Sequence, residues 1–247
     1  MSSAYRWNQA EFAVGYDVAG VYIHPHYRAM QAAILELLPL ESNADVLLVD
    51  AGGGSGRLAE LFLEKFPESR AIVVDQSEPF LALANQRLSP FGGRGTTLLA
   101  RLQDQWLSRL EEPPAAIVSM SAIHHLSPEE KQNLYACMGS ALAPGGVLLN
   151  GDEIRNATDD EYLAHLKNWS AHMQAMQNSG NIPGEMQEIL DYWREKNIAH
   201  FGAPKKSGDD CHETIAVQLD YLRAAGFNTV DAPWQREMWA ILRGVKK

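Results

Sequence analysis

The chain has 247 residues, 46% of them hydrophobic and 21% charged, a composition that suits a folded globular protein and excludes a disordered one. With 31 acidic residues against 21 basic the formal net charge is −10, which repels phosphate backbones and disfavours a nucleic-acid partner. No run reaches membrane-spanning length, the opening segment Met1–Phe12 has no apolar signal core, and Cys137 and Cys211 form no CxxC pair, so a cytoplasmic protein without a membrane partner, monomer or homodimer, is expected.

In chain order, Met1 to about Leu38 reads as helical with a break at His24-Pro25-His26, and Pro39 ends it. From Ala44 the pattern changes. Val46–Asp50 is a continuous apolar run closed by an acid, as in a buried parallel strand. A helix is expected over Ser55–Phe66, then a strand over Ala71–Asp75 and a helix over Glu78–Leu88. Further strands are expected at Thr96–Ala100, Ala115–Met120 and Val147–Asp152. Between the last two, Ser127-Pro-Glu-Glu130 opens a capped helix through Leu142, in which Cys137 reads as a small buried hydrophobe. This β-α-β alternation predicts an α/β fold with a parallel sheet covered on both faces. The alternation stops after Asp152. Residues 156–200 read as mostly helical, interrupted over 178–184. A helix is expected over His212–Ala225, ended by Gly226, and then two strands forming an antiparallel hairpin at a sheet edge.

The segment Asp50-Ala-Gly52-Gly-Gly54-Ser-Gly56 joins the first strand to the first helix of the alternating region, where open α/β sheets bind ligands. A dinucleotide fingerprint needs G-x-G-x-x-G, and counting from Gly52 puts Arg57 at its third glycine, which argues against an NAD(P) oxidoreductase. The spacing present is D-x-G-x-G-x-G.

That motif resembles the first motif of class I S-adenosylmethionine-dependent methyltransferases. The resemblance runs from about Ala44 to the C-terminus, outside the helical insertion. It implies a Rossmann-like, mostly parallel seven-stranded sheet with an antiparallel C-terminal hairpin. Residues 1–43 would be a helical lid, and 44–247 the cofactor-binding domain with a cap insertion at about 156–210. S-adenosylmethionine would be the cofactor and S-adenosylhomocysteine the product, held by Asp50, Gly52, Gly54 and Gly56 around the methionine part and by Asp75 with Gln76 at the ribose. Asp104 and Gln105 would lie near the adenine, Ser119 beside the cofactor, and Tyr16 in the lid, where an aromatic face suits a sulfonium cation. Ala143-Pro-Gly-Gly146 also matches the family's turn before the fifth strand.

The acceptor implied is a small molecule. His124 and His125 follow the fourth strand, as in small-molecule members. Either imidazole can take a proton at neutral pH, or both can simply pack in the loop. Tyr22, His125, Trp169 and His172 are candidate acceptor contacts; His165, Trp169, His172 and Met176 share one helix face, which is equally the pattern of a packing seam. His24-x-His26 has no third ligand near it in sequence, so a helix-breaking turn rather than a metal site is expected there. The layout is also similar to carboxy-S-adenosylmethionine synthases in Tyr16-Asp17, in Pro25–Arg28 and in the insert before Glu213-Thr214. Residues 196–210, however, hold no arginine for an extra carboxylate. A silent cofactor-binding protein on the same fold is the rival to an enzyme.

Overall fold

The structure, a computed structural model, describes residues 6–247. The first five positions of the expected lid lie outside them. The region expected to be a lid consists of α1 (Ala10–Ile23) and α2 (Tyr27–Leu37), separated at His24–His26 as the sequence predicts. The alternating region gives β1 (Leu47–Ala51), α3 (Arg57–Lys65), β2 (Arg70–Asp75), α4 (Glu78–Leu88), β3 (Gly95–Leu99), β4 (Ala116–Met120), α5 (Pro128–Ala141) and β5 (Val147–Glu153). The insertion supplies α6 (Asp159–Asn178) and α7 (Gln187–Arg194), which runs on into a π-helical turn, Glu195–Ala199. Then come α8 (Ile215–Ala224), β6 (Thr229–Arg236) and β7 (Trp239–Val245).

The seven strands form one sheet in the order β3-β2-β1-β4-β5-β7-β6. The first five pair in parallel and β7 alone runs against its neighbours. The expected edge hairpin is present: its second strand, apolar and buried, pairs with β5, while the more exposed β6 takes the edge. Alternation along β1 divides the core. Leu48 faces the cluster under α2, α3, α4 and α6, and Leu47, Val49 and Ala51 face the cluster under α5 and α8.

Local chemistry sets the element ends. Ser127 caps α5 in a full capping box with Glu130. Helix α8 starts three residues later than expected, because the Thr214 hydroxyl accepts from the Val217 N–H and His212 is left in the preceding loop. Gly56, with φ of +77°, turns the chain into α3, and a side chain there would press on Ala84. Cys137 is exposed, not buried: it lies on the solvent side of α5, whose inward side carries Leu134, Tyr135 and Met138.

Candidate active site

Strand order reverses between β1 and β4, and the loops leaving their carboxyl ends splay apart above the sheet. A cavity of about 420 Å³ opens there. One wall is the loop after β1. Gly52 has φ of +72°, and a Cβ on it would stand 2.5 Å from the Ala122 Cβ in the loop after β4. Only glycine lets these two loops approach so closely.

Asp50 is buried, and neither carboxylate oxygen has a hydrogen-bond partner. Burial, with Asp75 nearby, pushes its carboxyl up to about 7. A buried, unpaired carboxylate facing a cavity calls for a cation. Asp75 accepts from the Gly54 N–H at 3.0 Å and the Ser77 N–H at 2.8 Å, which fixes its orientation and leaves lone pairs for hydroxyl donors. Burial raises its pKa, and those N–H bonds partly offset the rise.

The lid is latched to this wall. The Asp17 carboxylate accepts from the Ser55 hydroxyl at 2.5 Å, Arg57 Nε at 3.0 Å and Arg87 Nη2 at 3.0 Å. Trp7, Tyr16 and Phe80 stack edge to face over the cavity, and the Tyr16 hydroxyl bonds His24 Nε2 at 2.9 Å. Opposite, α6, the turn before α7 and α7 itself bring Trp169, Met173, Met186 and Trp193 to the cavity.

The loops after β4 and β5 make the other polar wall. His124 Nδ1 lies 2.6 Å from Asp152 and 2.9 Å from Glu153, and Asp152 also accepts the His124 N–H at 2.8 Å. Burial pulls the His124 pKa down, but the two carboxylates overcome that and set it well above its ordinary value. Glu153 also meets His24 Nδ1 at 3.0 Å. Its carboxyl is pushed up by burial but held well below the usual range by His124 and His24. His125 Nδ1 lies 3.3 Å from Asp210, whose carboxyl is raised by burial and lowered further by His125, His124 and His212. Burial drives His212 down to about 3. Ser121, in the same loop, has φ of +51°, a left-handed conformation that costs a non-glycine residue about 1–2 kcal/mol. Its hydroxyl reaches Glu153 at 3.1 Å.

Of the residues singled out in the sequence, Asp50, Gly52, Gly54, Asp75, Gln76, Tyr16, His124, His125 and Trp169 line this one cavity. Others stand elsewhere. Asp104 borders an adjoining exposed hollow that shares Gln76 and Arg101 with the main cavity, and accepts from the Arg101 N–H, while Gln103 lines the main cavity; Gln105 is exposed. Ser119 is fully buried, donating to the Ala51 carbonyl at 2.7 Å, so it ties β4 to β1 behind the cavity. His172 bonds the Tyr22 carbonyl at 2.8 Å, and that pair joins cap to lid outside the cavity lining. Sequence reasoning missed His24, Asp152, Glu153 and Asp210. The available signal was the Asp152-Glu153 pair closing a buried parallel strand at the ligand-binding edge.

Fold and cavity together define an α/β domain built to hold an adenosyl-type cofactor at its strand ends. Residues 48–146 match the family described as "Methyltransferase domain". The Pseudarthrobacter chlorophenolicus ribosomal RNA small subunit methyltransferase H is 39% identical over 215 residues, 75% of this chain and 63% of that protein. An Acidovorax trans-aconitate 2-methyltransferase is 35% identical over 103 residues, 41% of this chain and 36% of that protein. Among solved structures, magnesium protoporphyrin IX methyltransferase from Synechocystis with bound S-adenosylhomocysteine superposes with a TM-score of 0.63 at 14% identity, covering 98% of this chain and 96% of that one. Residues 48–146 thus form a methyltransferase domain of the class I S-adenosylmethionine-dependent type, on a fold shared with solved methyltransferases. The chain spans only 22% to 63% of the curated relatives it matches. Among the described residues no helix is long and apolar enough to cross a membrane.

The residues present fit the family's cofactor. The partnerless Asp50 carboxylate suits an ammonium group, the side-chain-free Gly52–Gly54 loop admits an amino-acid tail, and Asp75 keeps acceptor capacity for ribose hydroxyls.

Proposed function

We propose that this protein transfers a methyl group from S-adenosylmethionine to a small-molecule acceptor. The observation that carries this reading is the continuity of one cavity, from the Asp50–Gly54 loop to a chamber walled by Trp169, Met173, Met186 and Trp193. Its volume, about 420 Å³, is in the range of small-molecule sites. The cofactor supplies an electrophilic methyl group on sulfonium, so the protein's part is orientation and exclusion of water. Asp50 pairs with the ammonium group, Asp75 and Gln76 hold the sugar, and Trp7, Tyr16 and Phe80 close the lid over them. His24 and the Asp17 latch keep Tyr16 and α1 in place. The cap packs an apolar acceptor, while His125 and Asp210 meet its polar end.

On this reading residues 1–43 act as the lid and about 156–210 as the cap. The net charge of −10 supports a metabolite rather than an RNA acceptor. Arg194, a candidate for holding an extra carboxylate, is occupied by Ser170, Asp191 and Gln177 within the cap. The test is to incubate the protein with S-adenosylmethionine and a panel of carboxylate, hydroxyl and amine metabolites, reading S-adenosylhomocysteine and methylated product by mass spectrometry. Stoichiometric release with at least one metabolite is expected. Methylation of ribosomal RNA alone, or no release beyond the acceptor-free control, would contradict the reading.

A further inference from the structure

We propose that His124, His125 and Asp210 form a binding site for a divalent transition-metal ion at the acceptor end of the cavity. One donor atom from each residue lies within 4.8 Å of the others. His125 Nδ1 is 3.3 Å and His124 Nε2 is 3.8 Å from the same Asp210 oxygen. Ligands each about 2.1 Å from a shared ion are separated by about this much.

Neither short approach is a hydrogen bond. His124 Nδ1 is engaged by Asp152 at 2.6 Å, which leaves Nε2, on the side of the Asp210 oxygen, as the nitrogen an ion would bind in exchange for a proton. His125 Nδ1 is buried without a hydrogen-bond partner, although the Asp210 oxygen is so close. Two imidazole nitrogens and a carboxylate oxygen converging on one point offer the donor set of a metal ion, which would take the place of any proton between them. His212 is an independent sign. It is nine-tenths buried, at 9% exposure, and its Nε2 has no partner. The Tyr162 hydroxyl holds its Nδ1 at 2.6 Å, and its ring centroid is 5.4 Å from that of His124.

The supports of a metal site are also present. Asp152 orients His124 through both Nδ1 and the backbone N–H, the carboxylate–histidine arrangement that sharpens a metal-binding imidazole. The Gly208 N–H donates to the His125 carbonyl and the Cys211 N–H to the His124 carbonyl, each at 2.8 Å, pinning the loop that delivers Asp210 against the two histidines. Two histidines and one carboxylate suit zinc, manganese, iron or cobalt better than magnesium or calcium. Three protein ligands leave coordination positions open to the cavity that His125 and Asp210 line, where an acceptor oxygen can bind and be polarised. That use of the ion rests on the methyl-transfer function proposed above; its binding does not.

The test uses the full chain stripped with a chelator and then dialysed free of it. Cobalt(II) is titrated in and visible absorbance recorded, and zinc(II) affinity is measured by calorimetry. One equivalent per chain is expected, with a visible cobalt absorption band that saturates at that equivalent. His125→Ala and Asp210→Asn should each weaken zinc binding by about 100-fold or more, and Asp152→Asn by about 10- to 100-fold. His200→Ala, an exposed histidine bonded to Glu195, should leave it unchanged. Circular dichroism melting identifies any variant that has lost its fold, and the wild-type titration stands without the variants. No binding by wild type, or equal binding by folded Asp210→Asn and wild type, overturns the proposal and leaves His124 as an imidazolium between carboxylates. S-adenosylhomocysteine binding to the same stripped protein separates the two readings. Cofactor binding without metal binding sinks only the ion, and metal binding without cofactor binding sinks only the methyl transfer.

Discussion

The two polar walls of the cavity are built by different means. The cofactor wall, from Asp50 to Asp75, is mostly backbone: a glycine loop between β1 and α3, with carboxylates held by N–H groups. The wall proposed for the acceptor is mostly side chain, with His24, His124, His125 and Asp210 at the cavity and Asp152, Glu153 and His212 behind them, gathered from the N-terminal helices, two strand ends and the loop before α8. A backbone cradle accepts one cofactor across many proteins, whereas a wall of side chains can change its acceptor by substitution alone.

The contrast can be broken at several points. The largest effect is expected at Trp169, a buried residue that donates to the Ile23 carbonyl at 2.7 Å and so ties cap to lid. Trp169→Ala should cost about 3–5 kcal/mol of stability by thermal or denaturant unfolding. It should weaken acceptor binding more than cofactor binding, and the reverse ranking would merge the two walls. Next, Asp75→Ala should weaken S-adenosylhomocysteine by about 1–3 kcal/mol in calorimetry, since hydrogen bonds to a charged group are lost. An unchanged affinity in the folded variant removes Asp75 from the cofactor wall.

The Asp50 carboxyl supplies a pH test. Its folded pKa, about 7, lies above the unfolded value of about 3.9. The folded protein therefore holds the extra proton between these values, and the stability Asp50 contributes falls as pH rises through that window. A ligand ammonium favours the carboxylate, so binding near pH 6 should release a proton and binding above pH 8, roughly beyond the titration, should not. Calorimetry in buffers of different ionisation enthalpy reads this, and Asp50→Asn should abolish it. The smallest effect is expected from Asp104→Ala, outside the main cavity, which should change cofactor affinity less than about twofold. A tenfold loss there would extend the cofactor wall beyond the cavity described.

The same division governs what the sequence made legible. Strands β1, β2, β4 and β5 and helix α4 fall within about a residue or two of their expected bounds, because continuous apolar runs and local caps specify them. The Asp50–Gly56 loop was equally readable, its chemistry lying in seven consecutive residues. The acceptor wall was not. His24 looked like half of an incomplete pair because its partner, Glu153, is on β5. Asp210 looked like part of a polar loop because its partners are at the end of β4. Ser119 and Asp104 were displaced from the site by local bonding, to the Ala51 carbonyl and the Arg101 N–H, that a family pattern does not encode.

The account depends most on whether the cradle after β1 and the carboxylate ending β2 grip a single adenosyl ligand. Isothermal titration of the wild-type chain with S-adenosylhomocysteine, with NADH as the comparison ligand, tests this directly. Saturable binding of one S-adenosylhomocysteine per chain, with no heat from NADH, is the predicted result. Binding of NADH alone, or of neither ligand by the folded protein, would contradict it.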